Sequence, residues 1–156
     1  MFRPALAVAT LLAFAAPAAA QQKMTWHTQE SDDSAALVFG VPETDEVAIF
    51  FLCKPGTPGL TVQSMIGSKG LEKDADTRLI LTAGGTKKSF AGKGIANEES
   101  GAVDVEATGQ MADLKALAKT GGTMTIEVKG AKRSVSLSGM AAAATKFEAA
   151  CSKPKS

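Results

Sequence analysis

The sequence predicts a mainly β protein, an antiparallel β-sandwich or barrel-like sheet with one or two short helices, the C-terminal helix packed on the sheet. Three observations carry this expectation. Val47–Cys53 (VAIFFLC) is the longest unbroken apolar run beyond the N-terminus, and it lies between an acidic turn at 42–46 and a Pro/Gly-rich turn at 54–59. Such a run between turn signals predicts a strand buried on both faces, with Val47, Ile49, Phe51 and Cys53 on one side and Ala48, Phe50 and Leu52 on the other. Short segments that alternate apolar and polar residues recur along the rest of the chain. Finally, Met140, Ala144, Phe147 and Cys151 fall at i, i+4, i+7 and i+11 of an alanine-rich segment, which predicts an amphipathic helix.

In chain order, one positive charge (Arg3) precedes an apolar stretch at 5–16 and the small residues Ala18-Ala19-Ala20. This is the layout of a secretory signal peptide over residues 1–20, cleaved after Ala20. The apolar stretch is too short to span a hydrocarbon core of ~30 Å, so no stable membrane insertion is expected after its removal. Residues 21–151 then form a single β-rich domain, and 152–156 a solvated tail. A first strand is expected around Trp26, with the indole covering one edge of the core. A second runs over 36–41. Residues 60–66 set Leu60, Val62 and Ser64 opposite Thr61, Gln63 and Met65, and 67–76 is a polar connection. Residues 77–82 and 87–91 flank Gly84-Gly85 as a hairpin. In 102–108, Val103, Val105 and Ala107 point inward while Asp104 and Glu106 face water. Asp113 is expected to cap a short helix over 114–119 that Gly121-Gly122 ends. Residues 123–128 and 133–138 pair across 129–132, and Ser138 or Gly139 opens the final helix.

The two cysteines follow from this register. Cys53 ends the central strand, and Cys151 completes the apolar stripe of the last helix. In an exported chain a single pair is most simply one disulfide, which would fix the helix across the face carrying Val47, Ile49 and Phe51; the alternative is a pair of buried free thiols or a redox pair. No Cys-x-x-Cys spacing supports redox catalysis.

Composition excludes more than it assigns. Without the leader the chain holds 16 basic and 16 acidic residues, which argues against a nucleic-acid binder. The charge is uneven: residues 21–76 carry four Lys against nine acids, and residues 77–156 carry 12 basic residues against seven acids. That asymmetry fits head-to-tail association, attraction to a charged surface, or simply solvated strands of differing charge. There is one histidine, His27, and no tyrosine. A Ser-His-Asp triad would have to recruit His27 near the N-terminus. His27 with Asp32 and Asp33 is a sparse metal set. Gly84-Gly85-Thr86-Lys87-Lys88-Ser89 lacks the phosphate-loop spacing and reads as a turn. Glu43, Asp45 and Glu46 read as an acidic turn rather than a carboxylate pair. The scattered methionines suit core filling. No catalytic, metal or cofactor-binding residue and no cofactor is assigned.

One resemblance covers the C-terminal third. The 114–119 segment, the 123–128 strand, Val135-Ser136-Leu137-Ser138-Gly139 and the alanine-rich Phe147-x-x-x-Cys151 helix resemble the end of invasion-associated locus B proteins. Ser136-Leu137-Ser138-Gly139 matches that family's serine-leucine-x-glycine step, whereas the N-terminal half, including Pro42-Glu43-Thr44-Asp45, departs from it. The resemblance implies an exported β-rich domain with a non-enzymatic role at the cell envelope or host interface. The expected function is a periplasmic or secreted binding or interaction module whose partner is an envelope or extracellular protein or a small ligand. Two alternatives stand beside it: a small periplasmic hydrolase or lyase using carboxylate and lysine chemistry, and a structural envelope protein.

Overall fold

The structure, a computed structural model, describes residues 23–153. The expected signal peptide with its cleavage point, and residues 154–156 of the tail, lie outside the described residues. Nine strands and two helices follow in the order β1 (Thr25–Glu30), β2 (Ala35–Gly40), β3 (Val47–Cys53), β4 (Leu60–Ser64), β5 (Asp76–Ala83), β6 (Thr86–Ala96), β7 (Val103–Gly109), α1 (Met111–Ala118), β8 (Thr123–Val128), β9 (Ala131–Ser136) and α2 (Met140–Cys151). The strands form one antiparallel sheet in the order β1-β2-β3-β4-β7-β6-β5-β8-β9, curled into a half-barrel with α2 packed against it. The predicted class is therefore observed, in its barrel-like form.

Period-two alternation fills the inner face. Leu37, Ile49, Phe51, Val62, Val105, Leu79, Leu81, Met124 and Ile126 are buried there, and Met140, Ala143, Ala144, Phe147 and Ala150 of α2 meet them, together with Leu114 and Leu117 of α1. The two outermost strands are bridged by Trp26. Its ring lies 5.1 Å from that of Phe39, and its Nε1 donates to the carbonyl of Ser136 at 2.7 Å. The indole thus spans from β1 to the end of β9, as a buried tryptophan needing a partner for its N–H does. Residue 69 closes one end: the Lys69 N–H donates to the Lys129 carbonyl at 2.9 Å. Gly130 is required at that crossing, because it has φ 70° and a Cβ there would stand 2.7 Å from the Lys69 oxygen.

The predicted disulfide is present. Cys53 and Cys151 are bonded with Cα atoms 5.9 Å apart, so α2 is tied to the end of β3 across a separation of 98 residues. The 123–128 strand pairs with its neighbour as expected, although the turn is tighter. Ala131–Ser136 is the strand, Met124 lies opposite Val135, and Leu137 has already left the ladder.

Several expectations are corrected. Val47–Cys53 is not buried on both faces: Ile49, Phe51 and Cys53 face the core, while Phe50 and Leu52 on the other side are half-buried. The register shifts between Phe39 and Gly40, so that Phe39 faces Ile49 but Gly40 faces Val47. The extra residue, Ala48, breaks the alternation and puts Val47 outside the core. Asp113 does not cap α1. Gln110 is the N-cap, and Asp113 sits in the first turn, where it meets Lys88 of β6 at 2.8 Å. A carboxylate there answers the exposed N–H groups and the helix dipole without being the cap. Strand β6 reaches Ala96, five residues beyond its expected end at Ala91. Gly92 and Gly94 lie within this added stretch and allow close approach: a Cβ at Gly92 would collide with the Glu106 carbonyl of β7. Asp104, expected in water, is 2% exposed.

Candidate functional site

With the inner face occupied by α2 and packed side chains, the concavity of interest lies on the outer face. Outward side chains of β2 and β3 are apolar: Ala36, Val38, Phe50 and Leu52, with Val38 directly opposite Phe50. Phe50 continues to Gln63 on β4, and the row runs on through Glu106 of β7 to Lys93 of β6. Two loops stand over this surface, residues 41–46 between β2 and β3 and residues 97–102 between β6 and β7. Together they enclose a cleft of about 510 Å³. Its floor is Ala36, Val38, Val47, Phe50 and Met65, and its walls include Thr44 and Asp45 from one loop and Asn97 and Glu99 from the other. Gln29, Gln63, Ala96 and Asp104 complete the lining.

Asp104 holds the 97–102 wall in place. Its Oδ1 accepts from the Gly67 N–H at 3.0 Å and its Oδ2 from the Asn97 side-chain amide at 2.7 Å. The Asn97 Oδ1 in turn accepts from the N–H groups of Glu99 and Ser100 at 3.1 and 3.0 Å. A buried carboxylate needs such donors, and here they tie the β6–β7 loop to the start of the β4–β5 connection. The opposite wall is fixed by Thr44, whose hydroxyl donates to the Val41 carbonyl at 2.9 Å and accepts from the Glu46 N–H at 3.2 Å. Glu43 in this loop has φ 62°, a left-handed conformation uncommon away from glycine.

The charge of the cleft has one sign. The two loops carry Glu43, Asp45, Glu46, Glu98 and Glu99 and contain no lysine or arginine. None of the lining residues is cationic. Among the described residues, the ion pairs are Lys88–Asp113, Lys115–Glu148, Lys132–Glu127 and Lys153–Glu30, so neither Asp45 nor Glu99 has a cationic partner.

The other residues considered from sequence are dispersed. His27 lies on β1 with Nδ1 3.1 Å from the Thr25 carbonyl oxygen. Asp32 and Asp33 occupy the β1–β2 turn, and no group of three metal-ligating side chains forms among the described residues. Gly84 and Gly85 form the β5–β6 hairpin turn between the facing residues Ala83 and Thr86. A second concavity beside the disulfide brings Glu30, Asp32, Asp33, Lys54 and Lys153 together, but its Lys153–Glu30 pair at 2.6 Å is solvent-exposed. Of the acidic turn, Asp45 joins the cleft. Sequence reasoning did not single out Phe50, Val38, Met65, Asn97 or Glu99 as a site. The available signal was the absence of a polar row in Val47–Cys53, which in a one-sided sheet leaves apolar side chains outside.

No helix among the described residues is long and apolar enough to cross a membrane. Comparison of the chain with protein-family models, with curated proteins and with solved structures finds no match.

Proposed function

We propose that this protein is an exported binding module of the bacterial envelope, periplasmic or secreted, that acts without catalysis. The observation carrying this reading is the cleft over Phe50. The inner face already supplies the core, so the half-buried Phe50 and Met65 are left on the outer face above the buried Val38, and a concave site of mixed apolar and polar lining is the default binding-site reading. The Cys53–Cys151 bond is of the kind that persists in oxidising compartments, and the leader-like residues 1–20 suit the same destination. The resemblance of the C-terminal third to invasion-associated locus B proteins points to the same cellular setting and to an envelope or extracellular partner. Carboxylate–lysine hydrolysis has less support in the cleft, which lacks lysine and whose buried Asp104 commits both oxygens to Gly67 and Asn97. The test is capture from envelope extract with the oxidised protein, run beside a Phe50→Ser variant. Species retained by the wild type and lost with the variant are expected. Identical retention by both would remove the cleft from the reading.

A further inference from the structure

We propose that the occupant of this cleft is a basic peptide segment that sets a lysine or arginine beside an aliphatic side chain. The proposal rests on the binding reading above and specifies its ligand chemistry. Charge decides the first half. Asp45 and Glu99 approach from opposite walls, the loops behind them add Glu43, Glu46 and Glu98, and no cation lies in either loop or in the lining. An anionic ligand would meet uncompensated repulsion, whereas a cation answers the negative charge of the cleft. The floor decides the second half. Val47, Phe50 and Met65, each partly exposed over the buried Val38, present apolar surface where a purely polar cation would lose hydration without return. A lysine or arginine stem lies along such a floor with its charged head at the rim, and a head above Phe50 adds attraction to the ring face.

The size and fittings favour a peptide over a simple ammonium ion. A volume of about 510 Å³ lies in the range that accommodates drug-sized ligands and so admits several neighbouring side chains. Gln63, whose amide nitrogen rests 3.1 Å from the Met65 sulfur, keeps its carbonyl oxygen for a backbone N–H. The walls are preorganised by the Asp104–Asn97 and Thr44 hydrogen bonds, so less ordering is required on binding.

The experiment is a fluorescence titration of the oxidised full-length protein with three blocked heptapeptides: alternating lysine and leucine, alternating glutamate and leucine, and lysine alone. The lysine–leucine peptide is expected to bind best, and more weakly as salt rises. Asp45→Lys and Glu99→Lys, both on exposed loops, are each expected to weaken it about tenfold or more, and Phe50→Ser comparably. Thermal melts accompany each variant, and the loop substitutions decide the matter should Phe50→Ser unfold. Preference for the glutamate–leucine peptide would overturn the proposal, as would lysine–leucine binding that all three variants leave unchanged. Concentration-dependent self-association abolished by the loop substitutions would also overturn it, by making a second copy the occupant. If no peptide binds while capture from envelope extract stays dependent on Phe50, the ligand class is wrong and the binding module stands. If both fail, the binding reading fails with it.

Discussion

The β2–β3 hairpin and the β5–β8 pair occupy comparable places within the sheet, and their inner rows are alike. Leu37, Ile49 and Phe51 in the first, and Leu79, Leu81, Met124 and Ile126 in the second, are all buried. Their outer rows differ. Beside the acidic loops the hairpin carries half-buried Ala36, Phe50 and Leu52 around a buried Val38, whereas β5 and β8 carry Arg78, Ile80, Thr82, Thr125 and Glu127. The inner rows converge because both regions must bury the same core. The outer rows are free of that demand, so their divergence reports what each surface meets. In β5 and β8 that is water. In the hairpin, Ala36, Val38 and Phe50 of the row lie under the walled cleft instead.

The comparison can be broken most forcefully at the tie between the hairpin and α2. Replacing Cys53 and Cys151 by alanine is expected to destabilise the protein by up to about 4.7 kcal/mol, the loop-entropy figure for a closure of this length. Reduction should likewise lower the melting temperature, and thiol titration in denaturant should find no free cysteine. Two titratable thiols would detach α2 from the position described. Neighbouring phenylalanines give the next test. Phe51→Ala should cost about 3–5 kcal/mol, and Ile126→Ala, its counterpart in β8, about 2–5 kcal/mol. Phe50→Ala should cost about 1 kcal/mol, since half-burial yields only part of the full transfer energy. Equal losses at Phe50 and Phe51 in urea denaturation would mean that the outer row is core after all.

Smaller effects sharpen the account of the cleft. Asp104→Asn presents an amide to the Gly67 and Asn97 donors and should cost about 1–3 kcal/mol. Faster amide exchange at Gly67 is expected with it, and an unchanged exchange rate would deny Asp104 its role as a tie between loops. The smallest change is Ser64→Ala. Ser64 is 1% exposed on the core side of β4, and its hydroxyl finds no hydrogen-bond partner among the described residues. Removing an unpaired buried hydroxyl should leave stability unchanged or raise it by about 1 kcal/mol, and a clear loss in melting temperature would reveal a partner.

Much of the framework was readable from local pattern. Alternation alone grouped Leu60, Val62 and Ser64 on one face, which the fold buries, and helical spacing put Met140, Ala144 and Phe147 on one apolar stripe. The cleft was less readable. Asp45 drew attention as part of an acidic turn, but nothing near it in sequence announces Glu99. The failure at Asp104 has the same origin: alternation correctly put it outside the core, yet Gly67 and Asn97 cover it from loops that pattern cannot place.

The sequence by itself determined which side chains share a face and that Cys53 could pair only with Cys151, because these follow from short-range periodicity and from there being only two thiols. Tertiary structure decided what stands over each face. The pairing of β4 with β7 and of β5 with β8 is set by long-range backbone hydrogen bonding, and it carries the 97–102 loop to the 41–46 loop. Likewise, the additional residue Ala48 turns Val47 out of the core only because β3 must match β2 across Phe39 and Gly40. Periodicity says which way a side chain points, and burial depends on what the rest of the chain brings to meet it.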